Sequence, residues 1–87
     1  MPLKTPEEGV QPIKAFRRWK RNLRQDEVAD AIDIGAPEYS RIENGIRLPT
    51  VHQYDELCRL LKAKPEQLFS RHVIAEMEER RRRAATA

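Results

Sequence analysis

The chain has little of several things. It holds one cysteine, Cys58, three glycines, two histidines and five aromatic residues in 87 positions. A single cysteine cannot close an internal disulfide, which excludes a disulfide-stapled secreted scaffold. His52, His72 and Cys58 are not spaced as metal ligands, so no metal and no other cofactor is expected. No apolar run approaches the roughly 18 residues of a membrane span. The opening Met-Pro-Leu-Lys-Thr-Pro-Glu-Glu-Gly has no apolar core of the secretion type. Strand-hairpin signals and internal repeats are missing, and the longest low-complexity tract is Arg80–Arg83. A chain this short buries one modest core and has little room for a shaped pocket. With no Ser/His/Asp grouping and no glycine-rich phosphate cradle, it is not expected to be an enzyme. The implied setting is soluble, reducing and cytoplasmic, without a membrane partner.

Charge is what the chain has in quantity. Charged residues make up 36% and hydrophobic ones 39%, enough apolar material for a fold. Seventeen Lys and Arg against fourteen Asp and Glu leave a net charge of only +3. The distribution is uneven. Residues 13–25 carry Lys14, Arg17, Arg18, Lys20, Arg21 and Arg24 and no acid, whereas residues 26–56 carry eight acids against Arg41 and Arg47. Residues 57–87 are basic again. A basic strip beside an acidic middle is either a nucleic-acid footprint or a solvated helix face.

Periodicity and punctuation give an all-α chain. Residues 1–12, with Pro2, Pro6 and Pro12, read as a flexible N-terminal arm. Pro12 suits the first turn of a helix on which Ile13, Phe16, Lys20 and Leu23 form a stripe, with Trp19 at its flank as core-edge packing and Asn22 as its end. A short second helix starts near Gln25, its acids in the first turn but Arg24 a poor cap. Asp33-Ile34-Gly35 breaks it. A third helix opens at Pro37, turns Tyr39 and Ile42 inward and stops at Asn44-Gly45. Thr50 caps a fourth helix bearing Val51, Tyr54, Leu57, Cys58 and Leu61, and Pro65 opens a fifth with Leu68 and Phe69. Residues 70–83 carry Val73, Ile74 and Met77 along one side.

Two short helices joined by a three-residue break, the second ending Glu-Asn-Gly, describe a helix-turn-helix. The spaced set Gln25, Val28-Ala29, Ser40-Arg41-Ile42-Glu43-Asn44-Gly45 and Pro49 resembles the phage repressor/Cro (Xre-like) DNA-binding family. The match runs from about Ile13 to Phe69. The resemblance implies a five-helix, lambda-repressor-like domain over residues 13–69, followed by a C-terminal helix and basic tail over 70–87. It also implies that base reading falls to Ala36, Pro37, Glu38, Ser40 and Arg41 on the third helix. Ala36 and Pro37 depart from the family's usual polar residues and donate no hydrogen bond. Arg41 is the strong candidate, as a bidentate donor to guanine, unless it pairs with Glu38. Phosphate contacts are expected from Gln25, Arg24, Asn44 and Arg47, which fix register without reading sequence.

In this family the residue at Glu43 pairs with an arginine on the first helix. Counting back from Gln25 selects Arg18. The phase set by Ile13 and Phe16 selects Arg17 and leaves one extra residue in the turn; Arg17 is the expectation. Leu60, Val73, Ile74 and Met77 form a possible dimerisation face, the alternative being that the last helix folds back on its own domain. Arg80–Arg83 either attracts phosphate or keeps the end soluble. The expected function is a homodimeric, sequence-specific transcriptional regulator binding double-stranded DNA at a two-fold operator. The rival is an adaptor-like or antitoxin-like interaction module with a protein partner, which keeps the fold but reads few bases.

Overall fold

The structure, a computed structural model, describes residues 9–86. All regular elements among them are helical. The first, α1 (Ile13–Ala15), starts behind Pro12 and runs without a break into five residues of π-helix, Phe16–Lys20. The wider turn closes from the Arg21 N–H to the Phe16 carbonyl at 3.2 Å. Asn22 then takes a left-handed conformation, φ 54°, which asparagine tolerates better than most residues. The π-turn takes up one residue more than an α-turn would. That residue is the extra one, and it leaves the four-residue phase of Ile13 and Arg17 undisturbed.

Helix α2 (Gln25–Ala31) begins without a capping side chain at Arg24. Glu27 compensates from within, its carboxylate accepting the Arg24 N–H at 2.7 Å. Asp33, also left-handed, turns the chain into α3 (Ala36–Glu43), with Pro37 in the first turn, where its missing N–H costs nothing. The small Ala29, 1% exposed, sits in the core where α2 and α3 meet. Helix α3 stops at Gly45, φ 72°. A Cβ there would lie 2.1 Å from the Gly9 carbonyl oxygen, so both backbone conformation and space require glycine.

Helix α4 (Val51–Leu61) carries a complete capping box. Thr50 Oγ1 accepts the Gln53 N–H at 3.1 Å and Gln53 Oε1 accepts the Thr50 N–H at 3.0 Å. Its far end is closed by Arg21, the residue that follows the π-helix, which donates to the carbonyls of Leu61 at 2.6 Å and Lys62 at 3.2 Å. Helix α5 (Pro65–Leu68) and α6 (Arg71–Thr86) complete the chain. The core runs from Ile13 through Tyr39, Ile42, Tyr54 and Leu57 to Leu68 and Phe69; the Tyr54 and Phe69 ring centroids lie 5.2 Å apart.

Three expectations are corrected. Helix α6 packs against α4 and α5, and Val73 and Met77, 6% and 0% exposed, belong to the chain's own core. Leu60 and Ile74 are half-buried against the same core. The expected dimerisation face is therefore mostly spent within the chain, because each apolar side chain buried there gains about 1.5–3 kcal/mol. The second correction concerns the arm. Residues 1–8 lie outside the described residues, but Gln11 is 2% exposed and fully engaged. Its N–H donates to the Glu43 carbonyl at 2.6 Å, and its side chain bonds Gly9 and the Ser70 N–H. Third, Trp19, expected at the core edge, is 75% exposed.

Candidate nucleic-acid interface

Beneath α3 lies a buried polar tie. Arg17 Nε donates to Glu43 Oε2 at 2.6 Å and its Nη2 to Oε1 at 3.2 Å, while Nη1 holds the Leu23 carbonyl at 2.7 Å. Gln25 Nε2 adds a third donor to Glu43 Oε1 at 2.8 Å. Three elements thus meet on one carboxylate. The Glu43 side chain is fully buried and that of Arg17 7% exposed. Burial works against the Arg17 charge, but Glu43 more than offsets it, and the guanidinium holds its proton more firmly than usual. The Tyr39 hydroxyl, buried beside the pair, has its ionisation pushed well up by burial and by the neighbouring carboxylate.

Above this tie the surface opens into a groove of about 760 Å³. Lys14 and Arg18, four residues apart on the first helical segment, and Asn22 just beyond its end form one wall. Ala36, Ser40 and Asn44, at the same spacing along α3, form the other. Arg24, Gln25 and Asp26 at the start of α2 close the end. The groove therefore combines cations, amides and the free N–H groups of a helix start, a set suited to an anionic backbone.

The expected base-reading residues share the exposed side of α3. Pro37 and Arg41 are exposed, and Ala36, Glu38 and Ser40 half-buried. Glu38 does not pair with Arg41. It pairs with Arg47, Oε2 to Nη1 at 3.6 Å, both side chains 45% exposed. Arg41 makes no ion pair or side-chain hydrogen bond among the described residues, so its guanidinium is available outward. Helix α6, on the side of α4 and α5, leaves this flank uncovered.

The expected phosphate-contact residues divide. Asn44 lines the groove, its Nδ2 3.4 Å from Ser40 Oγ. Arg24 is exposed but paired with Asp26 at 3.0 Å, which pulls the Asp26 carboxyl below its ordinary value. Arg47 is held by Glu38. The Gln25 amide turns inward to Glu43, so its side chain braces α3, leaving the start of α2 to face the groove through its backbone. Sequence reasoning missed Gln11 and Arg21 as structural links. Their partners lie 59 and 40 residues away, and no local pattern marks them. It read Lys14 and Arg18 only as part of a basic strip; their four-residue spacing was the available signal.

An all-α domain in which two short helices cross closely and the second presents an open outer flank defines a helix-turn-helix protein. A family model described as helix-turn-helix matches residues 13–68, more than half of the chain. The chain belongs to that Xre/Cro-like helix-turn-helix family, whose members are DNA-binding transcription regulators. A search of curated proteins gave no match. Helix α6 lies beyond the matched residues. No helix among the described residues is long and apolar enough to cross a membrane.

Proposed function

We propose that the protein is a sequence-specific transcription regulator of the cytoplasm that binds a two-fold DNA operator as a homodimer, with α3 in the major groove. The observation that carries this reading is the outer flank of α3: Arg41 is exposed and unpaired, beside a groove walled by Lys14 and Arg18. Arg41 supplies bidentate donation to guanine, Ser40 a single hydrogen bond, and Ala36 a surface for a thymine methyl. Pro37 offers shape only. Glu38, neutralised by Arg47, avoids much of the repulsion a bare carboxylate would meet at the phosphates. Lys14, Arg18 and Asn44 hold the backbone, together with the N–H groups opening α2 at Gln25, and set the register in which Arg41 reads, while Arg24 and Arg47 reach phosphate only on release from Asp26 and Glu38.

A homodimer follows from the shortness of α3. Its eight residues rise about 12 Å and span few base pairs. Two copies held about 34 Å apart read successive major grooves. Because Val73 and Met77 are internal, the pairing surface must lie outside them. The rival reading, an interaction module with a protein partner, draws on Ala36-Pro37-Glu38, which contribute no donor to base edges. Selection of bound fragments from a random DNA pool, followed by a salt titration, separates the two. A specific regulator prefers the selected fragment by about 10³-fold or more over random DNA, with steep weakening by salt. Equal and feeble binding to both DNAs would favour the interaction module.

A further inference from the structure

Trp19 is the chain's only tryptophan, and at 75% exposed it is the most solvent-exposed of the large apolar side chains described. Single exposed apolar residues are ordinary, but this one has specific surroundings. Its ring lies 5.1 Å from the guanidinium of Arg18, which lines the groove shared with α3. The stacked guanidinium covers part of the ring and limits its orientations, while the rest stays open. No carboxylate occurs between Ile13 and Gln25, and Lys14, Arg18, Lys20 and Arg21 fall within six positions of Trp19. The residue also stands in the π-helical turn, a feature that recurs at functional sites. That turn keeps Arg17 inside and leaves Arg18, Trp19 and Lys20 outside.

We propose that Trp19 and Arg18 form a joint DNA-backbone contact at the rim of the groove. The indole N–H donates to a phosphate oxygen, the ring packs on the adjoining deoxyribose, and Arg18 supplies the charge. This inference rests on the DNA-binding reading and extends it to residues outside the helix-turn-helix itself. Charge complementarity selects the occupant. A stretch with cations and no carboxylate suits a phosphate backbone, Asp26 at the end of the groove is already paired with Arg24, and Arg18 belongs to the wall facing α3. The contact carries no base information, so it serves any duplex.

The test uses the full chain and a labelled random-sequence duplex, with label anisotropy and tryptophan emission followed in one titration. The emission is expected to change in step with the anisotropy, because Trp19 is the sole reporter. Trp19→Ala is expected to weaken binding about tenfold, the scale of one hydrogen bond to a charged group, with no change in salt dependence. Trp19→Phe, which keeps a ring but loses the N–H, should fall between Trp19→Ala and the parent chain. Arg18→Ala should lower the salt slope by about one. These side chains are exposed, so the variants should melt like the parent. A rise in anisotropy with unaltered emission, and undiminished binding by Trp19→Ala, would overturn the contact while leaving DNA binding intact. An emission shift that follows protein concentration without DNA would overturn it by assigning Trp19 to a protein interface. A flat anisotropy would remove the DNA-binding reading, and this contact with it.

Discussion

Helix α3 has two sides that treat charge in opposite ways. On the inner side Glu43 is buried completely and receives three side-chain hydrogen bonds, two from Arg17 and one from Gln25. On the outer side Arg41 is exposed and unpaired, and Glu38 and Arg47 meet loosely at 3.6 Å. A buried charge must be matched at once by fixed partners, since its desolvation is offset in no other way. An exposed charge is kept solvated by water and remains free to meet a ligand. The inner side therefore sets where the helix lies, and the outer side is left to decide what it touches.

The sharpest way to break this contrast is to remove one inner partner. Glu43→Ala or Arg17→Ala is expected to cost about 3–5 kcal/mol in denaturant unfolding, because the other charge is left buried and alone. Arg18→Ala should cost almost nothing; equal losses at positions 17 and 18 would contradict the phase set by the π-turn. Next in size is Met77→Ala, expected to lose about 2–4 kcal/mol through the cavity it leaves. Truncation after Phe69 should accordingly destabilise the fold; a shortened chain that melts like the parent would show that α6 is no part of the core.

Alkali probes the buried side as well. Burial pushes the Tyr54 hydroxyl up to about 12, and Tyr39 is also raised. The folded state prefers the neutral phenols, so their contribution is complete below the ordinary tyrosine value of about 10 and is lost as pH rises toward 12. Unfolding followed by tyrosine absorbance should show stability falling across that window. Smaller effects belong to the outer side. Arg41→Ala should leave unfolding unchanged while costing about 1–3 kcal/mol of operator binding and relaxing preference at one base pair. Smallest of all, Glu38→Gln should shift stability by no more than about 1 kcal/mol, the scale of an exposed pair. By freeing Arg47 it should raise affinity for random DNA, measurable as a steeper salt dependence.

Much of the inner side was legible in residue order. Gly45 marked the end of α3, Thr50 the start of α4, and the Ile13–Phe16 phase pointed to Arg17 although counting from Gln25 pointed one residue further. The two counts disagreed because a π-turn hides an extra residue without disturbing the stripe before it. Trp19 was misread because a flank position on a helix is core edge or open surface depending on what packs beside it. The α6 stripe was visible, but a stripe shows that a face is apolar, not which surface covers it. Gln11 had no local signal, because its meaning comes from Glu43 and Ser70, both remote in sequence.

Local order alone settled the helices, their stops and the tight α2–α3 turn. These depend on backbone conformation, capping groups and spacing within a few residues. Packing settled the distant partners that made some cations structural and left others outward. Arg17 and Arg21 acquired distant partners, while Arg18 and Arg41 did not. Phase marked Arg17, but nothing along the chain separates Arg21 from its basic neighbours, because the carbonyls it caps, at Leu61 and Lys62, lie 40 and 41 residues away.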